Sequence, residues 1–225
     1  MTELTLIIPA KNEKESLPEV LKILKKYNYE IIVSLQKNDF ETIQSIRNFD
    51  VKIHEQAETG YGNSLIEGIN KCSTKYFCIF NADGSFEEND LEKMLSLCKN
   101  YDFIFASRYL NGGGSDDDTI ITYVGNKIFS LVGRILFSLN LNDILYTFVM
   151  GTTSKFKDLN IKSKDFRFCV ELPIKLKLLN MSYTSIPSFE KKRIGGKKKV
   201  NELKDGFLIL TEIFKLFFTS KIFKK

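Results

Sequence analysis

The stretch FNADGSFEEND, residues 80–90, sets a carboxylate, Asp83, just behind the apolar run KYFCIF. A carboxylate at the end of a buried strand is suited to hold Mg²⁺ or Mn²⁺, hard cations that take oxygen ligands and share them with substrate phosphates. Asn81, two residues earlier, offers an amide oxygen to the same ion. The same residue types also make ordinary turns, and Asp83 could equally cap the helix that begins near Glu88. Far along the chain, KKRIGGKKKV packs six cations and two glycines into ten residues. Such a loop suits phosphates, anionic lipid or nucleic acid, and a solvated charged face is the alternative reading.

These groups need elements to hold them. With 225 residues, 43% of them hydrophobic, the chain can bury a sizeable core in one domain. Short apolar runs alternate with segments of helical spacing. LTLIIPA precedes a helix with Leu17, Val20, Leu21 and Leu24 on one face, and YEIIVSL precedes the polar helix DFETIQSIRNF. VKIHEQ leads into GYGNSLIEGINKC, KYFCIF into ENDLEKMLSLCKN, and YDFIFASRY follows. This alternation predicts an α/β domain with a mostly parallel sheet and helices on both faces. Ligands of such sheets bind beyond the carboxyl ends of the strands, where PAKNE, NADGS and SRY fall.

After Arg108 come the loop NGGGSDDDT, the long helix ITYVGNKIFSLVGRILFSLN, a second helix FRFCVELPIKLKLLN and the extended MSYTSIPSFE. The basic loop and a terminal helix, NELKDGFLILTEIFKLFFTSKIFKK, complete the chain. No internal repeat or low-complexity linker divides it, so a single domain over 1–225 is expected. Positive charge is concentrated at the end: Ile186 to Lys225 carries eleven Lys or Arg against four Asp or Glu, while the remainder is about −2. In the terminal helix Glu212 and Lys215 interrupt any bilayer-spanning run. Its broad apolar face, flanked by Lys215, Lys221, Lys224 and Lys225, suits an interfacial helix on anionic lipid. Packing on its own domain or on a dimer mate is the alternative. The four cysteines form no CxxC pair and read as buried free thiols, which with the absence of a signal-peptide pattern at the N-terminus predicts a cytoplasmic protein. His54, in VKIHEQ, reads as a strand residue.

Eight stretches taken in order, IIPAKNE, GYGNSLIEGI, FNADGSF, ASRY, GNKIFSLVGRILF, LNDILYTFVMG, FRFCVEL and RIGGKKKVNELKDGFLIL, resemble family-2 glycosyltransferases of the GT-A fold. The similarity is greatest to the polyprenyl-phosphate (dolichol-phosphate) sugar transferase group. It implies a Rossmann-like GT-A domain whose first half, 1–110, binds a nucleotide sugar and whose second, 111–225, serves the acceptor. Pro9, Ala10 and Glu13 would border the nucleotide, and Gly60 and Gly62 would let a loop approach it. Asn81 and Asp83 match the family's DxD-type metal motif. Ser107 and Arg108 match a pair near the sugar or acceptor phosphate, and Asp143 an acid on the acceptor side that could take a proton from a hydroxyl acceptor. Glu171 matches an acid in a FEIE-like segment, and Arg193, Lys197 and Lys199 a basic loop that closes over phosphates. The implied reaction is a single inverting displacement from a nucleotide sugar, with Mg²⁺ or Mn²⁺, to a polyprenyl phosphate or a cell-envelope glycan intermediate at the inner face of the membrane.

Two departures bear on donor and metal. Where relatives end the second strand in a VDDGS-like acidic turn, this chain has Leu35 and Gln36, so Gln36 is left to read the base edge and Asp39 reads as a helix N-cap. Asn81 stands where the first acid of the metal motif is expected, which removes one negative charge. These departures also motivate a second reading, a non-catalytic GT-A-like binding module. A nucleic-acid partner is not expected, because the basic loop lacks interleaved aromatics, and a sugar nucleotidyltransferase would need a Gly/Arg-rich N-terminal loop that PAKNEKES does not supply. The sequence does not fix an oligomeric state.

Overall fold

A computed structural model describes residues 2–195 and 199–222. Strand β1 (Leu4–Pro9) leads into α1 (Leu17–Leu24), whose four apolar residues at helical spacing are all buried. Next come β2 (Glu30–Leu35), α2 (Phe40–Ile46), β3 (Lys52–Glu55), α3 (Tyr61–Asn70), β4 (Tyr76–Ile79), α4 (Asp90–Leu97) and β5 (Phe103–Ser107). Every one of these elements answers to an apolar or amphipathic run in the sequence. Asp39 caps α2 as expected, accepting from the Thr42 N–H.

The second part contains β6 (Gly114–Ser115), α5 (Ile120–Phe137), β7 (Val149–Thr152), α6 (Thr153–Asp158), α7 (Phe168–Leu178), β8 (Tyr183–Pro187), β9 (Phe189–Glu190) and α8 (Glu202–Ile222). The main sheet has seven strands in the order β3-β2-β1-β4-β7-β5-β8, with β7 antiparallel to both its neighbours and all other pairings parallel. Residue 110 is therefore no break in the sheet, since β7 and β8 both come from beyond it and β7 sits between β4 and β5.

The side chains of each strand alternate between two apolar layers. Leu6, Ile8, Cys78, Ile104 and Met150 join one core with α1, α2 and α4; Ile7, Phe77, Phe103 and Val149 join the other with α3 and α5–α8. Helices thus cover both faces. Phe77 meets Phe103 and Phe156 edge-on, and the missing Cβ of Gly151 makes room for them, since one there would lie 2.6 Å from the Phe103 ring. All four cysteines are buried free thiols, and burial pushes Cys72, Cys98 and Cys169 up to about 12, so none is a ready nucleophile.

Candidate active site

The parallel strands end along one edge of the sheet and deliver their terminal residues there. Pro9 and Ala10 leave β1, with the Ala10 N–H on Ser34 O at 3.0 Å; Asn81 and Asp83 follow β4, and Ser107 and Arg108 close β5. Because β7 runs the opposite way, the segment that feeds it starts from this same edge and brings Asp143 beside Arg108.

Asp83 faces a guanidinium. Its Oδ1 accepts the Ser85 N–H at 3.0 Å, and its Oδ2 lies 3.5 Å from Arg193 Nη1. Arg193 also forks onto Asp117, Nη2 to Oδ2 at 2.6 Å and Nε to Oδ1 at 3.2 Å. The basic segment is laid across the edge by backbone bonds, Ile194 N–H to Asp83 O and Lys191 N–H to Ser85 O, both at 2.8 Å. Ile194 then covers Gly84, where φ is +79° and a Cβ would come within 2.5 Å of the Ile194 side chain, so only glycine suits both the turn and the contact. Lys199 Nζ reaches Glu13 Oε1 at 3.3 Å, and buried Glu13 also accepts the Ser16 hydroxyl at 2.7 Å. Lys197 lies outside the described residues. Thus Asp83, Glu13, Arg193 and Lys199, taken from opposite ends of the chain, converge on one surface.

Arg108 and Asp143 make a second group. Arg108 Nε and Nη2 engage the two oxygens of Asp143 at 2.9 Å each, the Arg108 N–H adds a third bond at 2.9 Å, and Nη1 reaches Glu190 Oε2 at 3.0 Å. Its guanidinium carbon lies 4.6 Å from the centre of the Tyr146 ring. Asn126, on α5, donates its amide to Asp143 as well. Asp143 is 2% exposed and engaged on both oxygens, a geometry suited to positioning Arg108. Arg108 likewise places three of its five guanidinium N–H donors on the carboxylates of Asp143 and Glu190. The sequence reading missed Asp117, Asp118 and Glu190 as members of this edge; the run Asp116–Asp118 was the one visible sign, an acidic counterpart to the basic segment around Arg193.

A family model described as glycosyl transferase family 2 matches residues 5–159. The chain belongs to that family. Within curated proteins it is 26% identical over 211 residues to the undecaprenyl-phosphate mannosyltransferase of Micrococcus luteus, covering 85% of each chain. It is 27% identical over 143 residues to the dolichol-phosphate mannosyltransferase of Pyrococcus furiosus, covering 59% of this chain but only 41% of that enzyme. Among solved structures it resembles the glucosyl-3-phosphoglycerate synthase of Mycobacterium tuberculosis in complex with Mn²⁺, UDP and glucosyl-3-phosphoglycerate, with a TM-score of 0.74 at 9% identity over 95% of this chain and 79% of that one. The architecture is therefore the Rossmann-like GT-A fold expected from the sequence.

Two positions inferred from family 2 have other work in this chain. A Cβ on Gly60 or Gly62 would fall 2.1 or 2.3 Å from the carbonyl oxygens of Lys164 and Ser163, so their bare backbone admits the 163–165 loop. Glu171 is buried and holds that loop, accepting from the Lys162 N–H at 3.0 Å and the Ser163 N–H at 2.6 Å while pairing with Lys175 at 2.7 Å. Burial by itself raises the Glu171 carboxyl, but Lys175 and Ser163 outweigh it and hold it below its ordinary 4.5. A depressed carboxyl contributes stability that is complete above about pH 4.5 and is lost as pH falls through the folded-state value. Glu171→Gln is therefore expected to flatten the acid limb of a stability-against-pH curve below that point, measured by urea unfolding at stepped pH.

Gln36 lies at the edge of an open pocket of about 380 Å³ at the ends of β2 and β3, together with Asn38, Phe40, Gln56 and Thr59. Gln56 Oε1 is buried there without a hydrogen-bond partner, and no carboxylate of the β2 turn enters, since Leu35 is fully buried and Asp39 is used as the cap and by the Asn12 N–H at 2.7 Å. His54 is a β3 residue as expected, 2.8 Å from Glu67 Oε2; Glu67 also accepts the Ala57 N–H and so steadies the loop that walls this pocket.

As a metal site the edge is sparse. Among the described residues no three His, Cys, Asp or Glu side chains cluster as a cage. Asp83 supplies one carboxylate and Asn81, whose amide nitrogen points to Ser85 Oγ at 3.5 Å, an amide oxygen. That donor set fits Mg²⁺ or Mn²⁺ in the form those ions favour, held by one or two protein oxygens plus substrate phosphates and water.

Proposed function

We propose that this protein is a glycosyltransferase that moves a sugar from a nucleotide-diphosphate donor to a polyprenyl phosphate at the cytoplasmic face of a membrane. The observation that carries the reading is the pairing of Asp83 with Arg193 across the strand-end edge, with Lys199 alongside on Glu13. In this reading the donor's diphosphate lies between these groups. Asp83 and Asn81 contribute oxygen ligands, and Arg193 exchanges its long contact to Asp83 for a phosphate oxygen while keeping its fork on Asp117. A divalent ion, when bound, neutralises the charge that builds on the departing diphosphate. Gln36 and Gln56 read the base edge, and the unpartnered Gln56 oxygen calls for an N–H donor on that base.

The same geometry supports that acceptor. The partly or fully buried acids of this edge, Asp143, Glu190, Asp117 and Asp118, are each engaged, to Arg108, to Arg108 and Ser115, to Arg193, and to Tyr109 with Thr122 respectively, and of the acids beside them only the solvent-exposed Asp116 is without a side-chain partner among the described residues. A hydroxyl acceptor needs a carboxylate free to take its proton, whereas a phosphate is already ionised and needs none. Both mannosyltransferases similar to this chain carry a polyprenyl phosphate in their names, which supports the same choice. The terminal helix α8, with exposed Phe207, Phe214 and Phe218 and the cations Lys204, Lys215 and Lys221, would bring the edge to such a lipid.

Purified protein with Mn²⁺ and a panel of nucleotide sugars is expected to gain thermal stability from at least one donor, more with metal than without, and to transfer that sugar to undecaprenyl phosphate. A ligand at a hundred times its Kd adds about 2.7 kcal/mol, enough to read as a shift of several degrees. No metal-dependent shift and no turnover across the panel would reject the enzyme. The second reading, a non-catalytic module, rests on Asn81 and Leu35 and would show as nucleotide binding without metal dependence or transfer.

A further inference from the structure

Three cations in a row, Lys191, Lys192 and Arg193, follow β9, and they do different work. Lys191 and Arg193 are half-buried against the turn after β4, while Lys192 between them is exposed. Arg193 faces Asp83 and Asp117. Lys191 instead faces the two acids that follow the metal motif in FNADGSFEEND, with its Nζ 2.6 Å from Glu88 Oε2 and 3.2 Å from Glu87 Oε2. The strap 191–194 therefore runs back along the turn 83–88 and is tied to it at both ends. At one end the Ile194 N–H donates to Asp83 O; at the other Lys191 donates its N–H to Ser85 O and its ammonium to the acid pair.

We propose that Glu88, assisted by Glu87, is a positioning residue for the donor: by clamping Lys191 it holds the strap in register with the turn and so presents Arg193 opposite Asp83. This role rests on the reading that the donor's diphosphate lies between those two groups. Packing alone does not supply the register. A pocket of about 130 Å³ lies under the strap among Val20, Phe80, Phe86 and Ile194, and Ile194 is 50% exposed, so dispersion holds the strap on one side only. Glu88 is well placed to make up the difference. Its side chain is 13% exposed, and Lys26, just past α1, lies 3.7 Å from its other oxygen. Asn89 in turn steadies Glu87, donating its N–H at 3.2 Å and its amide at 2.6 Å to Oε1. Burial raises the Glu88 carboxyl, but Lys191 and Lys26 help to outweigh it and hold it below its ordinary 4.5. One turn thus carries both the carboxylate proposed for the metal and the clamp that sets the cation facing it.

The test uses the full chain and two kinds of readout. Without ligand, amide hydrogen exchange is followed at residues 191 and 194; with Mn²⁺, affinity is titrated for UDP, GDP, ADP, CDP and dTDP, and turnover is measured with the matching nucleotide sugar. Glu88→Gln and Lys191→Met are each expected to speed exchange at both amides about three- to fivefold, the range of a partly exposed ion pair, and to weaken the preferred nucleotide by a similar factor. Turnover at saturating donor should stay within about twofold of wild type, since Glu88 acts through Lys191. The two substitutions together should cost no more than either alone, and Lys191→Arg, which keeps the charge, should stay near wild type. Glu92→Gln, in the exposed first turn of α4, is the control and should change nothing. Unchanged exchange at 191 and 194, a rise along α4 instead, or fully additive losses in the double variant overturns the clamp. Faster exchange with nucleotide affinity intact overturns the positioning role. A wild-type protein that binds none of the nucleotides rejects the transferase reading and the donor role with it, while exchange still decides whether Glu88 holds the strap.

Discussion

Asp143→Ala is expected to lower the thermal unfolding midpoint by on the order of 10 °C, the largest stability effect of any single polar substitution at this edge. Its carboxylate is 2% exposed and receives Arg108 Nε, Arg108 Nη2, the Arg108 N–H and the Asn126 amide. Removing one partner of a buried ion pair costs about 3–5 kcal/mol, because the remaining charge stays desolvated without compensation. For a chain of 225 residues each kcal/mol moves the midpoint by roughly 2–4 °C. Glu190 still holds Arg108 Nη1, which places the cost nearer the low end. The pair as such need not be stabilising: Arg108→Met with Asp143→Leu, which removes both charges, should recover much of the loss. Circular dichroism melts of the two singles and the double close the cycle. A midpoint for Asp143→Ala within about 2 °C of wild type would show that this carboxylate does not position Arg108.

The contrast between Asp143 and Asp83 also shows what the sequence could carry. β1, β2, β4 and β5 could be read because an apolar run next to a turn has few other fates, and α1, α3 and α4 because their apolar residues recur at helical spacing. β7 could not. VMGT is four residues with a glycine, it lacks a period, and its slot between β4 and β5 depends on Phe77 and Phe103 leaving room at Gly151. The placement of Asp83 opposite Arg193 was foreseeable from residue type together with family resemblance, since both lie in loops that a parallel sheet sends to one edge. The packing of Gly60 and Gly62 on the 163–165 loop was not, because no local pattern encodes a contact about a hundred residues away.

Asp83→Asn is expected to reduce sugar transfer about 10²- to 10³-fold while leaving the fold almost untouched. The asparagine side-chain oxygen can still accept the Ser85 N–H, the main-chain bond from Ile194 to residue 83 is unaffected, and Arg193 keeps its fork on Asp117. What disappears is the negative charge that, with only Asn81 beside it, must hold a dication against the donor diphosphate. Removing a charge that stabilises a departing diphosphate costs several kcal/mol at the barrier, whereas at this turn, where the residue 83 side chain is 14% exposed and keeps its Ser85 hydrogen bond, the stability cost is about 1 kcal/mol. Two measurements separate these quantities: turnover with saturating donor and Mn²⁺, and the unfolding midpoint without ligand. Raising Mn²⁺ should rescue part of the loss if affinity is at fault, because an amide oxygen remains a weak ligand. Transfer by Asp83→Asn within about threefold of wild type would move the dication to another group, and a midpoint that falls as far as that of Asp143→Ala would make Asp83 a structural acid after all.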